Sequence, residues 1–94
     1  WDTVSFTVDA DGSNLTRCYP DGWKGSHFNW YDDETLAVTA CWDGGECWSH
    51  TVFQVGKEEQ RRHMGPGILD WDGHLIFSPN GKFLSTDGHW NKDN

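Results

Sequence analysis

From Thr3 to Val8, apolar and polar residues alternate strictly, with Val4, Phe6 and Val8 on one side and Thr3, Ser5 and Thr7 on the other. A period of two is the pattern of a half-buried strand, and Asp9-Ala10-Asp11-Gly12 ends it as a turn. Residues 15–19 predict a short second strand, stopped by Pro20-Asp21-Gly22. Residues 22–26 read as loop and 27–31 as a third strand. The clearest hairpin joins residues 35–42 to 47–55, with Leu36, Val38 and Ala40 on one face of its first arm. Residues 57–64 are the one helical candidate, highly charged and stopped by Gly65-Pro66-Gly67. A last hairpin pairs 75–78 with 82–85 around Pro79-Asn80-Gly81, where Asn80 is expected to take the left-handed conformation.

These elements predict an all-β protein: a small sheet or barrel of short antiparallel strands and hairpins, with at most one short helix near 57–64. Asp-Gly turns punctuate it at Asp11, Asp21, Asp43, Asp72 and Asp87. A length of 94 residues fits a single domain, 1–94, with a polar tail over about 87–94 that frays except at Trp90.

Charge narrows the function. Seven basic and 15 acidic residues give a net charge of −8. Phosphate backbones and anionic membrane surfaces repel such a chain, so nucleic-acid partners and membrane insertion are not expected. No apolar run approaches the roughly 20 residues needed to span a bilayer. Aromatic residues make up 15% of the chain, against disorder.

The small size, the Trp and Gly load and the cysteines favour a secreted, extracellular protein, with Trp1 read as a mature N-terminus. Asn14-Leu15-Thr16 is an N-glycosylation sequon, which makes Asn14 a candidate attachment site. There are three cysteines, Cys18, Cys41 and Cys47. If Asp43-Gly44-Gly45 is a three-residue hairpin loop, Cys41 faces Cys47 at disulfide distance. Pairing of Cys18 with Cys41 competes, because it closes a longer loop. A spare thiol allows a covalent homodimer. The five His are scattered and no Cys-x-x-Cys spacing exists, so no structural zinc is expected. Calcium is not expected either, since Asp9-Ala10-Asp11-Gly12 and Asp70-Trp71-Asp72-Gly73 lack the other acidic positions of a calcium loop.

Sugar recognition needs flat aromatic faces for the C–H side of a pyranose and polar groups for its hydroxyls. Three turns offer such residues: Trp42, Asp43 and Glu46 at one hairpin tip, Asp70, Trp71 and Asp72 before a strand, and Ser78, Asn80 and Lys82 at the second tip. Trp71, flanked by carboxylates that need solvent, stands out among them. Trp30 and Trp48 fall within strands and are assigned to the core.

The stretch Asp72-Gly73-His74-Leu75-Ile76-Phe77-Ser78-Pro79-Asn80-Gly81-Lys82-Phe83 resembles part of the cyanovirin-N homology lectins, whose repeats carry an Asp-Gly-x-Leu-x-aromatic stretch, a short loop and a Phe. Upstream, Leu36-Ala37-Val38-Thr39-Ala40-Cys41, a Gly-rich turn and residues 48–55 look like the hairpin that precedes it. The resemblance covers about residues 35–85, one repeat of a family that normally has two. It departs at Asp70, where the family has Asn, and at residues 56–64, which would be an insertion. Asp70-Trp71-Asp72-Gly73-His74-Leu75-Ile76-Phe77 is also similar in shape to the mannose-binding motif of monocot bulb lectins, though only the central Asp is kept. Both resemblances imply glycan binding, and the first implies that the three turns line the sugar pocket.

The expectation is a small secreted lectin for neutral, mannose-type glycans or glycoproteins, with no cofactor, no metal and no catalytic residue. Neither Gly-x-Ser-x-Gly, His-Glu-x-x-His nor a phosphate loop occurs, and Asp32-Asp33-Glu34 reads as a solvated acidic turn. The alternative is a secreted toxin, defence protein or virulence effector that binds a host protein, with the charged segment 57–63 as a contact.

Overall fold

The computed structural model describes residues 4–19, 21–42 and 48–88. Asp43, Glu46, Cys47 and Trp90 lie outside them. The chain is all-β, built of three antiparallel sheets. Strands β1 (Phe6–Thr7) and β2 (Thr16–Arg17) form the first. The central sheet has the order β3-β4-β5-β6: Lys24–Trp30, Leu36–Cys41, Ser49–Phe53 and Arg62–His63. Strands β7 (Leu75–Phe77) and β8 (Leu84–Thr86) form the third.

Strands β4 and β5 are buried at every position, because both faces of the central sheet are covered. On one face Leu36, Val38, Ala40 and Phe53 pack with Cys18, Tyr19 and Trp23. On the other, Ala37 and Val52 meet Leu75, with Met64, Phe77 and Leu84 around them. The second face is stitched down by polar contacts. Thr39 Oγ1 donates to the Gly73 carbonyl (2.6 Å), and Asn29 Nδ2 donates to that of Leu75 (3.1 Å).

Several expectations need correction. The helical segment reduces to a single 3-10 turn, Glu58–Gln60, before β6. Its charged side chains find no apolar face to bury, and Val52↔Arg62 pairing takes the backbone instead. The third strand begins at Lys24 rather than His27, so the supposed loop is half strand. Only two residues of the first strand pair, and Val4, Phe6 and Val8 stay exposed because no sheet among the described residues covers their face. Trp30 is likewise exposed, at the end of edge strand β3.

The hairpin register also differs by one residue. Leu36 pairs with Phe53 and Ala40 with Ser49, which puts Trp48 opposite Cys41; Cys47, the partner expected for Cys41, lies outside the described residues. No disulfide is formed among the described residues, and Cys18 and Cys41 are both buried. Cys18 packs on the face of Leu36, Val38 and Ala40, whereas alternation points Cys41 to the opposite face. Burial pushes the Cys18 thiol up, although Ser5 Oγ donates to its sulfur.

Of the expected tail, Asp87 and Gly88 are described, and Asp87 is held in place. His74 N–H donates to Asp87 Oδ1 (2.7 Å), holding that carboxyl below the usual carboxylate range.

Candidate functional site

The described residues of the three predicted loops do not converge, and Trp42 is the one residue of the first tip among them. Trp42 is half-buried, with the Arg61 guanidinium 4.3 Å over its ring, Trp23 at 6.4 Å and the His63 edge at 5.7 Å. Asp70 pairs with His63 Nε2 (2.9 Å) and accepts from Gly67 N–H (2.8 Å). Trp42 and Asp70 therefore meet on either side of His63, where they lock β6 to the following loop. Ser78 and Asn80 sit at the far end of the β7–β8 hairpin from Asp72. Ser78 Oγ donates to Asn80 Oδ1, which also accepts Lys82 N–H, so both side chains are used in shaping the turn. Its left-handed residue is Gly81 (φ 72°) rather than Asn80.

Trp71 is a structural clamp. Its indole N–H donates to the Asp87 carbonyl (2.9 Å), its ring lies against Gly88, and its edge meets His50 at 5.8 Å. His50 is fully buried and lies 2.7 Å from Thr86 Oγ1. That hydroxyl gives its only hydrogen to the Asp87 carbonyl, so His50 Nε2 must be the donor and Nδ1 the bare lone pair. Nδ1 is buried with no partner. Burial holds His50 below the ordinary His range, against the opposing pull of Asp72. A proton at Nδ1 would be an unpaired buried donor.

A pH dependence follows. Between the depressed folded pKa and the ordinary value of 6.5, the unfolded state binds more protons, so stability rises with pH there and is flat above. Acidification from pH 7.5 to 5 should lower the urea midpoint of the native chain, and His50→Gln should flatten that slope. Equal slopes in both proteins would contradict the assignment.

Asp72, among the described residues predicted for the site, lines a cavity. It is about 480 Å³ in volume and is walled by Lys24, Ser26, His27 and Phe28 of β3, by Trp48 at the entry to β5, and by Asp72 from the loop before β7. Strand register explains the gathering. Lys24 pairs with Cys41 and Ser26 with Thr39 on the face that carries His50. Thr39 in turn holds Gly73, next to Asp72.

A β-bulge aims another wall residue, His27. Register slips between Ser26 and Asn29, and His27 takes a left-handed backbone (φ 56°). Such a conformation is strained for a residue with a Cβ, and bulges of this kind re-aim side chains beside functional sites. His27 Nε2 lies 3.5 Å from Asp72 Oδ1, too long for a strong hydrogen bond. Its ring meets His74 at 3.9 Å, and His74 Nδ1 pairs with Asp87 (3.2 Å). No group of three or more His, Cys, Asp or Glu among the described residues has metal-binding geometry.

Sequence reasoning missed Lys24, Ser26, His27 and Trp48. Trp48 had been assigned to the core, and only the one-residue register difference brings it into line with Cys41 and Lys24. The αL conformation of His27 has no local signal, since Gly and Asn are its usual hosts. A smaller hollow of about 260 Å³, lined in part by Gln54, Lys57, Gln60 and Arg62, contains no carboxylate.

Asn14 projects from the β1–β2 turn, exposed, with Nδ2 donating to Asp9 Oδ2 (2.6 Å). The other Nδ2 hydrogen is not used by that bond, so attachment of a glycan is compatible with it. No helix among the described residues is long and apolar enough to cross a membrane. No protein-family model, curated protein or solved structure matches this chain.

Proposed function

We propose that the chain is a secreted carbohydrate-binding protein for neutral glycans, with its site at the Trp48–Asp72 cavity rather than at the hairpin tips. The observation that carries this reading is the meeting of an indole and a carboxylate across one cavity of about 480 Å³. That volume lies within the roughly 300–1,000 Å³ typical of small-ligand sites. Each sugar hydroxyl donates one hydrogen bond and accepts others. Lys24 supplies donors, Asp72 acceptors, and Ser26 and His27 both kinds. The Lys24 and Asp72 charges are of opposite sign, which suits an uncharged ligand. Trp48 would supply the stacking face.

Binding without turnover is proposed because the described residues of the cavity wall include one carboxylate, Asp72, whereas glycoside hydrolysis uses a facing pair. Mannose-type sugars are the first ligands to test, on the strength of the lectin resemblance. A single site of this size binds weakly, so a dense display is needed for detection.

The expected result is retention of the native chain on a mannose-type glycan array at high density. Trp48→Ala and Asp72→Asn should each weaken it by about tenfold or more, an effect of about 1.4 kcal/mol. Trp71→Phe should leave binding in place while lowering stability. Loss of binding with Trp71→Phe, and none with Trp48→Ala, would return the site to the loop before β7.

A further inference from the structure

A groove on the other side of β3 has different chemistry. It runs between β1 and the outer edge of β3, has a volume of about 350 Å³, and no residue of its described lining is charged. Phe6, Val8, Phe28 and Trp30 form its rims and Cys18 and Leu36 lie in its floor. The four rim side chains are large and apolar, yet they are 52%, 52%, 38% and 56% exposed. Single exposed apolar residues need no explanation, but four around one groove mark an interaction surface. Along this edge β3 has no strand neighbour among the described residues.

Both strands leave the groove into acidic turns. Val8 runs into Asp9-Ala10-Asp11, and Trp30 into Tyr31 and then Asp32-Asp33-Glu34. All five carboxylates are on exposed residues. Asp32 is held ionised below the usual carboxylate range by the backbone N–H of Glu34 and the contact with Thr35, and Asp11 by Ser13. The nearest basic residue on β2, Arg17, is already paired with Asp21 (2.8 Å).

We infer that this groove is a docking site for an extended segment of a partner protein that carries a large apolar anchor flanked by Lys or Arg. The apolar walls take the anchor, and the acidic turns select the flanks. A second copy of this chain fits poorly, because it brings a charge of −8 and the same acidic turns to the contact. A saccharide fits less well, because two of the three polar side chains in the described lining, Ser5 and Asn29, already hydrogen-bond to Cys18 and to the backbone of Trp30 and Leu75, and only Thr7 is left beside them. The inference does not rest on the sugar reading, although Phe28 lines both hollows.

The test uses immobilised 12-residue peptides with a central Leu, Phe or Trp, flanked either by Lys/Arg or by Glu. The native chain should bind the basic set, release it as salt rises, and ignore the acidic set. Phe6→Ser/Trp30→Ser should lose about tenfold or more in affinity while its circular dichroism stays native. Asp33→Lys/Glu34→Lys touches no core residue and should weaken the basic set and gain affinity for the acidic one. Trp48→Ala should bind these peptides normally. Indifference to flank charge, absence of peptide binding, or Trp30-dependent dimerisation of the native chain in sedimentation would each overturn the inference.

Discussion

Gly73→Ala is expected to remove about 3 kcal/mol or more of stability, at the upper end of what overpacking does. A Cβ at this buried position would lie inside the carbonyl group of Asp87. The obstacle is backbone, so no side-chain rotation relieves it. The backbone has little freedom to retreat, because the Gly73 carbonyl is held by Thr39 Oγ1 and the next residue, His74, donates to Asp87. Either the β7–β8 hairpin lifts from the central sheet or the Thr39 bond breaks. Lifting exposes Leu75, which is buried against Ala37 and Val52. Since such a domain has about 5–10 kcal/mol in total, the variant should show a urea midpoint reduced by a third or more. A change within about 0.5 kcal/mol would mean that the hairpin is not docked as described.

Trp23→Ala should have an effect of comparable size, about 3–5 kcal/mol. Trp23 is 7% exposed and joins three aromatic neighbours: Tyr19 at 5.9 Å, Phe53 at 5.5 Å edge-on and Trp42 at 6.4 Å. The Arg61 guanidinium lies 5.4 Å from its ring. Truncation opens a cavity in the layer that also holds Cys18 and Val38, and no neighbour is free to fill it. At roughly 4–8 °C per kcal/mol for a chain of this length, thermal unfolding should shift down by at least about 12 °C. Trp30→Ala is the contrast. Its ring is 56% exposed, and the melting curve should move by a degree or two. Similar shifts for the two variants would refute the division between core and surface tryptophans.

The legible part of the fold was the part whose signals are local. Alternation at Leu36, Val38 and Ala40 marked one face of β4, and Pro79-Asn80-Gly81 marked the last turn. What local pattern does not carry is the cover over each face. Phe6 and Val8 alternate like core residues, yet about half of each stays exposed. Ala37, Thr39 and His50 occupy the face that alternation would leave to solvent, and β7 buries it. Register is equally nonlocal: Ala40↔Ser49 pairing is one step away from what a three-residue loop implies. That step moves Trp48 from the core to a cavity wall.

The site was legible in its chemistry rather than in its place. Tryptophan beside carboxylate was the right pair to look for under the saccharide reading, but the residues brought together are Trp48 and Asp72, which lie 24 positions apart in the chain. Trp71, adjacent to Asp72, holds the Asp87 carbonyl instead. Lys24 and His27 arrive through β3 pairing and a bulge, and neither stands out in a chain with five scattered His.

The account turns on whether a sugar occupies the space between Trp48 and Asp72. The most direct measurement is a ¹⁵N–¹H correlation spectrum of the full chain, titrated with methyl α-mannoside and then with a short mannose oligosaccharide. Saturable shifts of the Trp48 indole N–H and the Ser26 and His27 amides, with the Trp71 indole unmoved, are the predicted result. A spectrum that stays still at the cavity, or that moves only around Trp30, would contradict it.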